Sequence, residues 1–242
     1  MPKSLPIAVI PLLFCVSCTT FQYVTVSSSG IAKNDRNEFV VENDSLRLVY
    51  NFSGYNGPIK ISIQNKLGVP VYIDWQRSAV VVNDKTVPYV PGEVKIEGSF
   101  QGSSYNNKNT GGYRVSSGNL QATAYLPPTV DFIPPRAIIN KTTICITSGY
   151  NERIPDADFP KSKYPVLNGF TVNVKKAAFT EATSPLRFRS FITYAIGESG
   201  AKLFTFEHSF FVSEVMSSGN SPEMMFINIG SRGDQYYSST SN

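Results

Sequence analysis

Residues 59–83 read IKISIQNKLGVPVYIDWQRSAVVVN, and apolar and polar positions alternate through them in two runs. Ile59, Ile61 and Ile63 are separated by Lys60 and Ser62, while Val69, Val71, Ile73 and Trp75 are separated by Pro70, Tyr72 and Asp74. A period of two places alternate side chains on opposite faces, so each run predicts a strand with one buried and one wet side. Asn65, Lys66, Leu67 and Gly68 break the alternation. They predict a short hairpin loop in which Gly68 takes a positive φ, with both strands laying their apolar faces on one core.

The same grammar recurs along the chain. Leu46, Leu48, Tyr50 and Phe52 share one face; so do Leu186, Phe188, Ser190, Ile192, Tyr194 and Ile196, and then Phe204, Phe206, His208, Phe210 and Val212. The last two sets predict long antiparallel hairpin partners across a turn at residues 197–200. Shorter strand candidates lie at residues 21–26, 38–42, 78–82, 86–89, 138–146, 170–174 and 224–229, the one at 138–146 entered as an edge behind Pro134 and Pro135. KKAAFTEA at 175–182 is the best candidate for a short helix. Residues 98–119 are rich in Gly, Ser and Asn and carry too little apolar surface to offset the entropy of ordering them, so they read as a long mobile loop. Residues 150–168, with Pro155, Pro160 and Pro165, read as a second loop, and the polar residues 231–242 as a disordered tail.

Many short strands, closely spaced turn signals and almost no helical period predict an all-β chain. The expected architecture is an antiparallel immunoglobulin-like β-sandwich with long loops, spanning residues 38–230. Residues 18–37 are expected to serve mainly as a tether.

Length and composition fit a folded domain: 242 residues, 41% hydrophobic and 17% charged. The net charge of +4 is dispersed rather than gathered in a basic run, so the chain lacks the electrostatic footprint of a nucleic-acid binder. The first seventeen residues read differently. Lys3 is followed by an apolar run from Leu5 to Val16, and Cys15-Val16-Ser17-Cys18 places a small residue before a cysteine. This resembles the lipobox of bacterial lipoproteins, although Cys15 stands where leucine is usual. The resemblance implies a signal peptide over 1–17, cleavage behind Ser17 and acylation of Cys18, hence a membrane partner through an N-terminal lipid anchor. The alternative is a secretory peptide without lipid. A membrane-spanning helix fits poorly, because the run is short and holds Pro6 and Pro11. The resemblance further points to the outer membrane, on its periplasmic side rather than the cell surface.

Catalytic patterns are missing from the sequence. There is no metal-ligand spacing, phosphate loop, nucleophile elbow or dinucleotide fingerprint, and no cofactor is expected. The single histidine, His208, sits on an aromatic strand face and is expected to be a hydrogen-bonded core residue. Asp156 and Asp158 lie in the proline-rich loop and read as solvated charges. Cys145 is expected to pack as a small buried hydrophobe. Trp75 with Asp74 is the one local pair with ligand chemistry, an indole to stack on a sugar and a carboxylate for its hydroxyls; core packing of Trp75 is the competing and preferred reading.

Glu42-Asn43-Asp44, residues 46–52, Asn65-Lys66, Pro70-Val71-Tyr72-Ile73-Asp74-Trp75 and Phe210-Phe211-Val212-Ser213 resemble a family of small Bacteroidetes-type lipoproteins. That family brings no assigned activity, so the resemblance implies localisation and fold only. It also gives Asp44-Ser45-Leu46 the look of an O-glycosylation acceptor site at Ser45, against a plain turn. Together these readings favour a non-enzymatic envelope lipoprotein that binds an unidentified envelope protein or supports an assembly. A surface glycan-binding or glycan-processing accessory protein is the alternative.

Overall fold

The computed structural model describes residues 19–90, 128–152, 154, 159–166, 169–197, 202–226 and 232–240. The chain is nearly all β, as the alternation predicts. Its strands are β1 (Phe21–Ser27), β2 (Ala32–Lys33), β3 (Phe39–Glu42), β4 (Leu46–Asn51), β5 (Gly54–Tyr55), β6 (Pro58–Asn65), β7 (Val71–Val82) and β8 (Lys85–Pro88). They continue with β9 (Val130–Ile133), β10 (Ile138–Cys145), β11 (Lys161–Pro165), β12 (Thr171–Ala178), β13 (Arg187–Ile196), β14 (Leu203–Ser218) and β15 (Gln235–Ser239). One five-residue helix, α1 (Pro222–Phe226), precedes β15.

The strands form two curled sheets. The larger runs β5-β15-β1-β14-β13-β7-β8, with β12 added to β14, β11 to β12 and β9 to β7; the smaller runs β10-β6-β4-β3-β2. The sixteen-residue β14 is the spine of the larger sheet, pairing with β13 along its first part and lying between β1 and β12 along its last. The apolar faces of both sheets meet in one core. Leu46, Leu48, Ile61 and Ile63 enter it from the smaller sheet, and Val24, Ile73, Phe188 and Val212 from the larger. At its centre Phe52 meets Phe188 and Phe210 edge-on at 5.5 and 5.2 Å between ring centroids, a favoured aromatic geometry.

The predicted hairpin at residues 59–83 is not a hairpin. β6 pairs with β4 and β10, while β7 pairs with β13, β8 and β9, so the connection crosses from one sheet to the other. Alternation says only that two strands face one core, and strands can do so across it as well as side by side. The crossing is built by Asn65, fully buried, whose amide nitrogen donates to the carbonyls of Val69, Pro134 and Ile133 at 2.8, 3.0 and 3.3 Å. Its carbonyl accepts the N–H of Leu67 at 2.9 Å. A side chain that satisfies the bend leaves no task for Gly68, which is not among the positive-φ glycines. A true two-residue hairpin does join β7 to β8, with Asn83 and Asp84 both at positive φ.

Further expectations are corrected. Residues 175–178 belong to β12 and pair with residues 214–217 of β14, so an available sheet edge overrides helical propensity. Met224 and Met225 lie in α1 rather than a strand, and buried Met225 packs on Tyr23, Val174 and Met216. Residues 227–229 and the loop at 98–119 lie outside the described residues. The loop at 150–168 contains β11. The expected tether and tail are both structural: β1 lies between β14 and β15, and Val24, Val26 and Tyr236 are core residues. The folded body therefore extends beyond residues 38–230, because Phe21 faces Ser239 across that pair.

Candidate functional site

Trp75 sits at the middle of β7 and is fully buried. Its indole N–H donates to Asp131 Oδ2 of β9 at 2.8 Å, and the ring of Tyr89 meets it edge-on at 5.6 Å. Lys141 Nζ lies 5.0 Å from the indole centroid and 2.8 Å from the same carboxylate oxygen. Tyr89 and Lys141 thus engage the ring and Asp131 its N–H, and a sugar has no exposed indole to stack on. Asp74 falls on the opposite face by alternation, where its carboxylate accepts the N–H of Arg77 at 3.1 Å. The two residues proposed as a ligand platform do not converge, and core packing explains Trp75.

His208 of β14 closes a buried chain of hydroxyls. Its Nδ1 lies 2.8 Å from Tyr50 Oη, which lies 3.1 Å from Ser190 Oγ, which lies 2.7 Å from Tyr89 Oη. Burial holds the imidazole at a pKa of about 4, so it is neutral at pH 7, and pushes both phenols up. One direction of donation satisfies the chain: Tyr89 to Ser190, Ser190 to Tyr50, Tyr50 to the unprotonated Nδ1. The serine is 2% and the histidine 8% exposed. A nucleophile and base at these positions would lie under the sheets, where the network fixes the packing of β4 against β13 and β14. Among the described residues no group of three or more His, Cys, Asp or Glu side chains is arranged to hold a metal ion.

Other predicted positions scatter. Ser45 lies half-buried in the turn between β3 and β4, its N–H donating to Asn43 Oδ1 at 2.9 Å. Cys145 is exposed at the end of edge strand β10, contrary to the expected burial, because the strand's alternation turns outward where pairing with β6 becomes irregular. Cys18, Asp156 and Asp158 lie outside the described residues.

Among the described residues, two concave places lined by charged side chains stand out. One, of about 440 Å³, opens above the β7–β13–β14 surface between Asp84, Glu181, Arg187 and Arg189. Its charges are mixed, and Arg189 already meets Glu207 at 3.0 Å. The other, of about 500 Å³, lies beside the start of β1 and is lined by Thr20, Lys161, Lys175, Ser217, Ser218 and Thr240. Its basic groups come from β11, in a segment expected to be a loop, and from Lys175 of β12, where the expected helix would start, so the sequence carried no signal that would bring them together.

Asp234 was also hidden in the expected tail. Its fully buried carboxylate receives Arg232 Nε and Nη2 at 2.9 and 2.8 Å and Lys33 Nζ at 2.6 Å. This knot binds β15 to the N-terminal segment; its geometry is structural rather than a ligand site.

No family model matches the chain, and no curated protein or solved structure matches it significantly.

Proposed function

We propose that the chain is a non-enzymatic cell-envelope lipoprotein, anchored through acylated Cys18 to the periplasmic side of the outer membrane. Its two-sheet body is an immunoglobulin-like sandwich that binds an envelope protein or supports an assembly. The observation that supports this most directly is how close Cys18 lies in sequence to a paired residue of the body. Thr20, two residues past Cys18, already exchanges hydrogen bonds with Thr240: its N–H donates to the side-chain oxygen at 3.2 Å and its carbonyl accepts the N–H at 3.0 Å. An acyl anchor on Cys18 would therefore sit only two residues from a strand-end pair of the larger sheet. Two or three acyl chains on Cys18 would hold it firmly, since each buried methylene contributes about 0.8 kcal/mol. Ser45, at an accessible turn, is the proposed O-glycosylation site. The glycan-binding alternative loses its platform with Trp75 in the core.

Growing cells with a clickable fatty acid tests the anchor. The wild-type chain should be labelled and Cys18→Ala should not; equal labelling of both would overturn the reading.

A further inference from the structure

We propose that the end of the β11–β12 hairpin rests in the bilayer, with Phe170 inserted at the boundary between headgroups and acyl chains; the inference rests on the reading of Cys18 as the anchor. Besides the main core the body has a second apolar cluster of Tyr23, Val166, Val174, Met216 and Met225. Residues directly opposite one another in a sheet project to the same side, and Lys176 faces Met216, which faces Tyr23. By alternation this cluster lies on the outer face of the larger sheet, away from Val24 and Val215 of the main core. Along β12 it opens outward. Val174 is buried, Val172 is half-buried, and Phe170, two residues on, is 72% exposed, more than any other large hydrophobic side chain among the described residues. The N–H of Val166 donates to the carbonyl of Phe170 at 2.8 Å, which holds the phenylalanine in place across the hairpin.

An exposed ring alone says little, since Phe132 and Leu203 are exposed too. What sets Phe170 apart is the end of the body it occupies. β1 and β12 flank β14 and run in the same direction, with Phe21 facing Ser218 and Lys175 facing Ser217. Val174 is thus level with Phe21, and Phe170 stands four residues beyond, about 13 Å further along the strand direction. Cys18 is three residues beyond Phe21 towards the same end, a reach of at most about 11 Å. The chain keeps the line of β1 as far as Thr20, which is bonded to Thr240. Only β14 lies between the two strands, so they run roughly 10 Å apart. Phe170 therefore reaches as far from the body as the anchor does, and acyl chains entering a bilayer from Cys18 bring the ring to the same depth. Phe132 and Leu203 are at the other end. Phe132 faces Tyr72, Tyr72 faces Ala195, and Ala195 faces Leu203, about 50 Å along β14 from Ser218.

The chemistry of the hairpin suits a lipid surface. Its strands read KSKYP and TVNVKKAA, with four lysines and no carboxylate, and Lys176 is committed to Glu214 at 2.6 Å. Lys161 and Lys163, both exposed, have stems long enough to reach phosphates while an aromatic ring enters the layer beneath. α1 packs on the cluster through Met225 and adds the acidic Glu223, so the contact relies on the ring more than on net charge. A bilayer accepts a single ring beside an anchor, whereas a stable protein interface needs about 1,000 Å² or more of buried surface. The small apolar end therefore fits lipid better than a partner chain.

The test uses the full chain carrying Phe170→Trp, purified from membranes and reconstituted into vesicles of phosphatidylethanolamine and phosphatidylglycerol. A second set of vesicles contains phospholipid brominated on its acyl chains, which quenches an indole only on contact. The wild-type chain gives the background from buried Trp75, and Phe132→Trp reports the far end. In plain vesicles the emission gained at position 170 should be shifted to the blue, and brominated lipid should remove most of it while leaving the emission gained at position 132 unchanged. Emission at 170 that persists, or falls no more than at 132, would overturn the proposal. If that emission is also shielded from aqueous acrylamide, a protein chain rather than lipid covers this end. The mass of the N-terminal peptide from the same vesicles reads the anchor separately. An unacylated Cys18 would remove this proposal together with its premise, whereas an acylated Cys18 with unquenched emission at 170 refutes the insertion alone.

Discussion

Replacing Asp234 by alanine asks whether the C-terminal segment is a working part of the fold. The substitution removes three charge-assisted hydrogen bonds from a carboxylate with no solvent exposure, two from Arg232 and one from Lys33. Removing one partner of a fully buried ion pair costs about 3–5 kcal/mol, because the other charge is stranded. Here the cations keep 27% and 34% of their side-chain surface in solvent and can rehydrate, which lowers the expected loss to about 2–3 kcal/mol. For a body of this size that corresponds to a midpoint lowered by roughly 5–10 °C. Neighbouring backbone contacts, Val26 N–H to Asp234 O at 2.8 Å and Phe52 N–H to Gly233 O at 2.7 Å, remain possible in the variant, so it should still fold. Equilibrium urea unfolding followed by the single tryptophan, the buried Trp75, measures the loss. A change under about 1 kcal/mol at unchanged slope would refute the reasoning, showing that the turn before β15 is held without its carboxylate.

Acid should weaken the fold through His208. Its folded pKa of about 4 lies below the ordinary value of 6.5, so the unfolded chain binds the extra proton in that window. Stability from this group is intact above pH 6.5 and falls as pH drops toward 4, by up to about 3 kcal/mol, and His208→Gln should remove that part of the slope in urea titrations at several pH values. Cys145, exposed at an edge, should be alkylated by a maleimide in the native protein as fast as in urea; protection of the native thiol, read by peptide mass spectrometry, would place it inside.

Alternation carried the reading of this chain a long way where a strand is half-buried. β4, β6, β13 and β14 show their inward residues directly, and Phe188↔Phe210 and Ile192↔Phe206 pair in the expected antiparallel hairpin. It failed where the partner, not the segment, decides. Lys175 and Lys176 look helical until the open side of β14 is in place, and Tyr236 and Tyr237 sit in a polar stretch whose only apolar content they supply. Sheet membership was illegible for β6 and β7, since a shared core does not distinguish adjacent strands from facing ones. Of the site candidates, Trp75 was legible as core from the face it shares with Val71 and Ile73. The lysine hollow was not, because Lys161 and Lys175 become neighbours only through pairing.

The placement of β1 has a consequence for how the body comes into being. Its neighbours on either side are β14 and β15, so this strand waits for residues 203–218 and 235–239 before it is paired. Phe21 closing on Ser239 spans almost the whole body, the kind of distant contact that makes folding slow. An emerging chain therefore passes through synthesis with β1 unpartnered, and that side of the larger sheet closes only once β14 and β15 are both present. A fold whose last described strand completes its first described one cannot finish its larger sheet until both ends of the body are present, whereas the smaller sheet, drawn from residues 32–145, needs no part of β14 or β15.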